Sequence, residues 1–481
     1  MTSMTDGTGP APASTTEWRD RKRYLWLIGL VMPALAFVAV GGHAWTGWSG
    51  WLWIGPVVVL GIVPVVDLLV GVDRSNPPDE VIAALEADRY YRWITFLFLP
   101  LQYAGLVAAF WVIANGDLST ADKVGLAVTM GFLSGIGINT AHELGHKREP
   151  VERWMAKIAL APSCYGHFYI EHNRGHHVRV ATPEDPASSR MGESFYEFWP
   201  RTVFGSLRSA WRLERRRYAR RQQGPFRLDN DVLNAWLLSA ALWAALVAWL
   251  GVGILPYLAL QAVLGFTLLE LVNYLEHYGM LRQRVGAPGK ERYERVEPTH
   301  SWNANNIATN VLLYHLQRHS DHHANPTRRY QALRDYADAP QLPTGYAGMI
   351  LIALVPAWWR RVMDPRVVAH YQGDVTRANL SPRRRARLLA RYSAPPAVAA
   401  SRAPALVIDD PVPSGGDGIE RPARGGRCPG CGYVYLESVG DEREGFAPGT
   451  PWSQIPDTWC CPDCGVRDKV DFIALSDDPG A

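Results

Sequence analysis

The sequence predicts a mainly α-helical membrane protein. A six-transmembrane-helix bundle bears a cytoplasmic, histidine-rich region holding two metals, and a small C-terminal metal domain with a short β-sheet and two knuckles follows. Three observations carry that reading. Six apolar stretches of membrane length occur before residue 280, and a helix rising about 1.5 Å per residue needs roughly 20 residues to cross about 30 Å of hydrocarbon. Twelve of the fourteen histidines fall between residues 142 and 323. Four of the six cysteines form two Cys-x-x-Cys pairs near the C-terminus. Averaged over all 481 residues the hydropathy is near zero, because Arg, Pro and Gly dominate the second half.

The expected spans are Tyr24 to Val40, Trp51 to Val70, Trp93 to Ile113, Val124 to Thr140, Val232 to Leu250 and Ile254 to Val272. Arg19, Arg21, Lys22 and Arg23 precede the first, whereas the connections at 41–50, 115–122 and 251–253 hold almost no positive charge. Basic residues favour the cytoplasmic side, so residues 1–23, 72–92, 142–229 and everything after 276 are expected there. Trp45, Trp48, Trp51 and Trp53 read as an aromatic belt at the opposite surface. Ala34-Leu35-Ala36 has the look of a signal-peptide cleavage site, but the apolar run continues beyond it, so an uncleaved anchor is expected. Arg208, Arg212, Arg215, Arg216, Arg217, Arg220 and Arg221 alternate with Trp211, Leu213 and Tyr218. That pattern predicts an amphipathic helix on anionic headgroups, a better reading than nucleic-acid binding in a polytopic chain.

The fourth span ends on Ala141–Lys147, AHELGHK, where His142 and His146 are four apart and share a helical face. IEHNRGHHV at 170–178 adds His172 and His176, again four apart, with His177 adjacent. ELVNYLEHYG at 270–279 brings His277 to the same membrane level, and LQRHSDHHAN at 316–325 supplies His319, His322 and His323. Nine imidazoles exceed what one ion accepts, so two metals with four or five ligands each are expected. Imidazole suits Zn, Cu, Fe and Ni alike, which leaves the element open. Glu143, Glu171, Glu276 and Asp321 adjoin the histidines and are placed to orient ring N–H groups or to bridge metals. His315, four residues before His319, is a further ligand candidate but falls outside the paired pattern. His167 and His300 read as hydrogen-bonded supports, and His43 and His370 as ordinary surface or interface residues.

After a Pro-, Ala- and Arg-rich linker from 381 to 426 come Cys428-Pro-Gly-Cys431-Gly and Cys461-Pro-Asp-Cys464-Gly. Two such knuckles make a tetrahedral thiolate site for zinc or iron. A disulfide framework is not expected in a reducing compartment. Cys460 reads as a bystander and Cys164 has no evident partner.

The segments CPGCGYVY, FAPGTPWSQIPDTW and CPDCGV, with Phe472 beyond, resemble rubredoxin over 427–475, leaving 476–481 as a tail. That resemblance implies one iron on Cys428, Cys431, Cys461 and Cys464; Cys460 departs from the usual aliphatic residue. HELGHK, EHNRGHH, NYLEHYG and LQRHSDHHANPTRRYQ resemble the bacterial membrane alkane 1-monooxygenases across roughly 17–370. The histidine boxes alone are shared with membrane fatty-acyl desaturases and xylene monooxygenases; the last two motifs separate the alkane enzymes. The resemblance implies a diiron hydroxylase domain over 24–380 in the bacterial cytoplasmic membrane, with both irons on the nine histidines. It further implies O2 as cosubstrate, hydroxylation of the terminal methyl of medium-chain n-alkanes to primary alcohols, and electrons from the fused rubredoxin. No side-chain acid, base or nucleophile can attack an unactivated C–H bond, so a metal oxidant is required. An external NAD(P)H-dependent rubredoxin reductase is implied too, since no G-x-G-x-x-G nucleotide fold is visible. The alternatives are a desaturase or xylene-type methyl hydroxylase with the same core, and a non-catalytic membrane metal-binding electron-transfer protein. Val59, Leu60, Ile136 and Leu268 are expected along an alkane route through the bundle. Residues 428–481 hold ten acidic and three basic side chains, so the remainder is basic, and salt-sensitive docking of the small domain is expected.

Overall fold

The computed structural model describes residues 18–289, 291–392 and 423–476. Among the described residues six helices are long and apolar enough to cross a membrane: span 1 (Leu25–Thr46), span 2 (Ser49–Val70), span 3 (Arg89–Asn115), span 4 (Thr120–Gly145), span 5 (Asp231–Leu250) and span 6 (Val252–Glu276). All six expected spans are therefore present, and the chain is a multi-pass membrane protein. Most run beyond their apolar stretch, and at spans 3, 4 and 5 a side-chain cap from Asp88, Ser119 or Asn230 sets where the helix begins. Span 4 starts at a capping box in which Ser119 Oγ accepts from Asp122 N and the Asp122 carboxylate accepts from Ser119 N.

Span 4 is the axis of the bundle: 83% of its most apolar window is buried, against 22–44% for the other five. It packs along span 6 at close range. A Cβ on Gly131 would lie 2.7 Å from Leu264, and one on Gly135 would lie 2.8 Å from Leu268. Small residues one turn apart let two backbones approach in lipid, and Ser134 Oγ donates to Gln261 Oε1 at 2.7 Å across the seam. The pairing brings His142 and His277, at the ends of these spans, to one level.

Span 2 contains a π-helical turn at Val57–Ile62. Its far end is fixed by buried Asp67, whose carboxylate accepts from Thr309 N at 2.9 Å and Thr309 Oγ1 at 2.5 Å. This anchors the short helix Ile307–Leu312, which leads into the last histidine motif.

The long polar helix is Phe195–Arg220, opened by a Ser194–Glu197 capping box. Its basic run only partly faces outward. Arg208, Arg212, Arg215 and Arg216 are exposed, but Arg217 pairs with Glu214 at 2.6 Å, Arg220 with Glu444 at 3.0 Å and Arg221 with Asp229 at 3.3 Å, and Tyr218 is buried. Those side chains serve protein contacts rather than the expected headgroup surface.

The C-terminal unit is a three-stranded antiparallel sheet with Gly425–Arg427 between Val434–Leu436 and Ile473–Leu475. Tyr435, Trp452, Trp459 and Phe472 form its core. Within the stretch expected as a linker, Arg385–Tyr392 is helical with Leu388 buried, and Arg384 pairs with Glu197 at 2.8 Å. Residues 393–422, most of the expected N-terminal segment and nearly all of the tail lie outside the described residues.

Candidate metal centre

The nine histidines of the four motifs are buried and converge on two adjacent positions. His142, His146, His172, His177 and His322 form one group and His176, His277, His319 and His323 the other, with the ligand atoms of each group within 4.8 Å of one another. His142 Nε2 lies 2.9 Å from His322 Nε2, and His177 Nε2 lies 3.1 Å from both His172 Nε2 and His322 Nε2. In the second group His319 Nε2 lies 2.9 Å from His323 Nε2 and 3.2 Å from His277 Nε2. Two nitrogens about 2.1 Å from one ion at right angles stand about 3.0 Å apart, so the spacing fits a shared metal. It fits hydrogen bonding poorly, because three Nε2 atoms facing each other cannot all find a donor. His146 Nε2 and His176 Nε2 are buried with no hydrogen-bond partner among the described residues. Burial lowers the pKa of His146, His172, His177, His319, His322 and His323 well below the ordinary range, which keeps these rings in the neutral form that ligates.

Local backbone decides which ring joins which group. His142 and His146 close span 4 and share the five-histidine group, and His319 and His323, four apart on the helix His319–Ala324, share the four-histidine group. The Glu171–His176 segment is π-helical. Its i→i+5 bonding lengthens the turn, so His172 pairs with His177 in one group while His176 turns to the other. The four-residue spacing of His172 and His176 therefore does not place them in one group.

The supports differ from those expected beside the ligands. Of the four carboxylates, Glu276 Oε1 stands 3.1 Å from His319 Nδ1, an ion-pair distance without the alignment of a hydrogen bond. Glu143 pairs with Lys147 at 2.9 Å, Glu171 with Arg179 at 2.7 Å, and Asp321 holds Arg328 at 2.7 Å. Asp185 does what sequence reasoning assigned to the others: its Oδ2 lies 2.8 Å from His176 Nδ1 and accepts from Ser188 Oγ at 2.6 Å. His300 contributes its carbonyl, 3.4 Å from His277 Nδ1, while its own ring faces Glu294. His315 joins neither group; its ring lies 3.0 Å from Lys22 Nζ and 2.9 Å from the Tyr330 carbonyl. His167, expected as a hydrogen-bonded support, is instead buried against the Tyr165 ring, with neither nitrogen hydrogen-bonded among the described residues.

An apolar cavity ends on these rings. Val59, Val63, Ile136, Leu268 and Ile350 line its walls, and His142, His172, His319, Asn139, Asn273 and Glu276 stand among its polar lining groups. Three of the four expected channel residues line it; Leu60 does not.

The four cysteines form a third cluster. Cys428 Sγ lies 3.7 Å from Cys464 Sγ and Cys431 Sγ 3.5 Å from Cys461 Sγ. Sulfurs about 2.3 Å from a tetrahedral ion stand about 3.8 Å apart, so this set also fits a metal. Cys460 stays outside it, on a backbone bridge with Asp468.

This small domain sits against the histidine end of the bundle. Glu444 is buried between Arg174 and Arg220, Asp463 pairs with Arg153 at 3.2 Å and Arg148 at 3.4 Å, and Asp471 with Arg295 at 2.7 Å. One contact reverses the sign, Arg443 with Asp231 at 2.5 Å. Burial alone would raise Glu444, but Arg174 and Arg220 hold it below the ordinary carboxylate range.

Residues 123–353 match the fatty acid desaturase family model and residues 426–472 the rubredoxin family model. The chain is 48% identical over 376 residues to alkane 1-monooxygenase of Acinetobacter baylyi, covering 78% of this chain and 91% of that protein. It is 46% identical over 365 residues to alkane 1-monooxygenase 1 of Alcanivorax borkumensis (76% and 89%) and 44% identical over 380 residues to alkane 1-monooxygenase of Pseudomonas putida (79% and 94%).

Proposed function

The chain belongs to the alkane 1-monooxygenase family and carries a C-terminal rubredoxin domain, and from that premise we propose that it hydroxylates the terminal methyl of medium-chain n-alkanes, drawing electrons through its own rubredoxin. The observation that carries the reading is the apolar cavity that runs within the bundle and ends on the two histidine groups. An alkane dissolves in lipid, so a site reached from the membrane interior suits it. The walls of Val59, Val63, Ile136, Leu268 and Ile350 offer no hydrogen bonds and hold the chain by apolar burial, worth about 0.8 kcal/mol per methylene. The same walls exclude water from the reacting end. A terminal carbon therefore reaches the polar end first.

The nine imidazoles would hold two irons, and the four thiolates one. Bound and reduced, the paired irons supply the reduction of O2 and the oxidising power that no side chain has. Each turnover takes two electrons and two protons; one oxygen atom leaves in the alcohol and the other in water. Asp185 holds His176, and the His300 carbonyl holds His277, so both rings keep a fixed orientation while the metal charge changes. An external NAD(P)H-dependent reductase supplies the rubredoxin. The Arg- and Lys-rich segment before span 1, and the short turns without Lys or Arg at the opposite end, support a bacterial inner-membrane protein with histidines and rubredoxin on the cytoplasmic side.

The test is anaerobic reconstitution with iron, then exposure to O2 with octane, a fatty acyl chain or xylene, and product analysis. Octan-1-ol as the main product is expected. An unsaturated acyl product, or xylene oxidised in preference to octane, would favour the desaturase or aryl-methyl reading instead.

A further inference from the structure

Among the described residues the interface has two backbone-tight contacts made by rubredoxin glycines. Gly445 (φ 90°) lies flush on the long polar helix, where a Cβ would meet Arg220 Cβ at 2.7 Å. Gly465 (φ 68°) follows the second cysteine knuckle, and a Cβ there would lie 2.4 Å from the Asn173 carbonyl oxygen and 3.5 Å from His177 Cβ. No L-residue fits without lifting the domain. Asn173 and Arg174 are consecutive in the π-helical turn Glu171–His176, and Arg174 is gripped by Glu444 of the rubredoxin. The small domain thus holds the segment of the bundle that supplies His172, His176 and His177.

We propose that electrons cross from the rubredoxin to the histidine centre through Cys464 and Gly465 onto His177, at the five-histidine position. The inference rests on the functional reading above. Gly465 is bonded directly to Cys464, and its Cα is no more than about 5 Å from His177 Cβ, given a bond of about 1.5 Å to the added Cβ. One gap therefore separates a thiolate ligand's chain from an imidazole ligand. His177 in turn lies 3.1 Å from His172 and His322 within its own group, and its ring packs 4.4 Å from His323 of the other. The competing route leaves the first knuckle, where an Arg148 guanidinium donates to the Cys431 carbonyl. That route must run down a long side chain and back through two residues before it reaches His146. Each crossing moves one electron, taking the thiolate-held iron from ferrous to ferric and one histidine-held iron from ferric to ferrous. NAD(P)H, through the external reductase, restores the donor between crossings.

The knuckles supply a matched control. Gly432 follows the first knuckle as Gly465 follows the second, with a similar φ of 77°, but a Cβ on it would meet nothing within 4 Å among the described residues. In full-length, iron-loaded protein, rubredoxin reoxidation is followed by stopped-flow absorbance, and hydrogen exchange is measured on amides 171–177. Gly465→Ala must lift the domain by about 1 Å, so reoxidation should slow by about tenfold or more, with faster exchange at 171–177 and the thiolate-iron spectrum kept. Gly432→Ala carries the same backbone strain and should stay within about twofold of the parent. Equal rates in the two variants, or a greater loss in Arg148→Ala than in Gly465→Ala, would overturn the crossing point. Should Gly465→Ala fail to load iron, raising salt on the unmutated protein must slow reoxidation and deprotect 171–177 together; deprotection without slowing would overturn it. A parent protein whose rubredoxin is never reoxidised by the histidine centre would instead remove the donor reading beneath the proposal.

Discussion

Asp185 reaches His176 Nδ1 at 2.8 Å and is itself held by Ser188, so its carboxylate fixes one ring of the four-histidine group. Removing such a partner costs 10- to 100-fold in metal affinity in comparable sites. Asp185→Ala should therefore lose iron to a chelator before the parent does, from one position of the pair, as counted by metal analysis per chain. His315→Ala should keep both paired irons, since that ring contacts Lys22 and Tyr330 instead, whereas His277→Ala should lose one. Equal losses in the two would redraw the ligand set. All nine converging histidines were legible because their spacing is unusual for packing. Asp185 was not: it lies nine residues beyond His176 in an irregular loop, and nothing in TPEDPAS says which residue turns back. Glu143, Glu171 and Asp321 were over-read, because adjacency to a ligand in sequence points a side chain away from it on a helix as often as toward it.

At the scale of elements, span 4 and span 6 set the site by close packing at Gly131 and Gly135, and the cavity between them and span 2 is walled by Ile136 and Leu268. Leu268→Trp should fill part of that cavity and shorten the longest alkane accepted, read as the chain length at which alcohol yield falls to half. An unchanged chain-length profile would place the substrate elsewhere. Existence and order of the spans were legible from apolar length, while their ends were not, since Ser119 and Asp122 extend span 4 by capping. The π-helical turn at 171–176 was invisible for a physical reason. Two histidines four apart suggest an α-helical face, and only the packed structure reveals the i→i+5 bonding that sends His172 and His176 to different groups.

Across the whole molecule, an acidic rubredoxin meets a largely basic surface, as net charge suggested, although Arg443 with Asp231 inverts the pattern. The particular partners were beyond sequence, because they depend on how two separately folded units meet. Glu444 gives the docking a pH dependence. Free in solution its carboxyl titrates near the ordinary 4.5, and between Arg174 and Arg220 it titrates lower, so docking favours the ionised form. The docking energy from this contact is complete above about pH 5 and is lost as pH falls through the lowered value. Rubredoxin reoxidation should slow over that acid range and with rising salt, and Glu444→Gln should flatten the acid limb. A limb unchanged in that variant would assign the effect to another group. The central claim is that nine histidines hold two irons which oxidise a lipid-soluble substrate. Its most direct measurement is iron per chain beside octan-1-ol formed, in the parent and in each histidine-to-alanine variant of the nine. The account predicts three irons in the parent, two or fewer in each variant, and loss of product in step; full hydroxylation by a variant lacking a histidine-bound iron would contradict it.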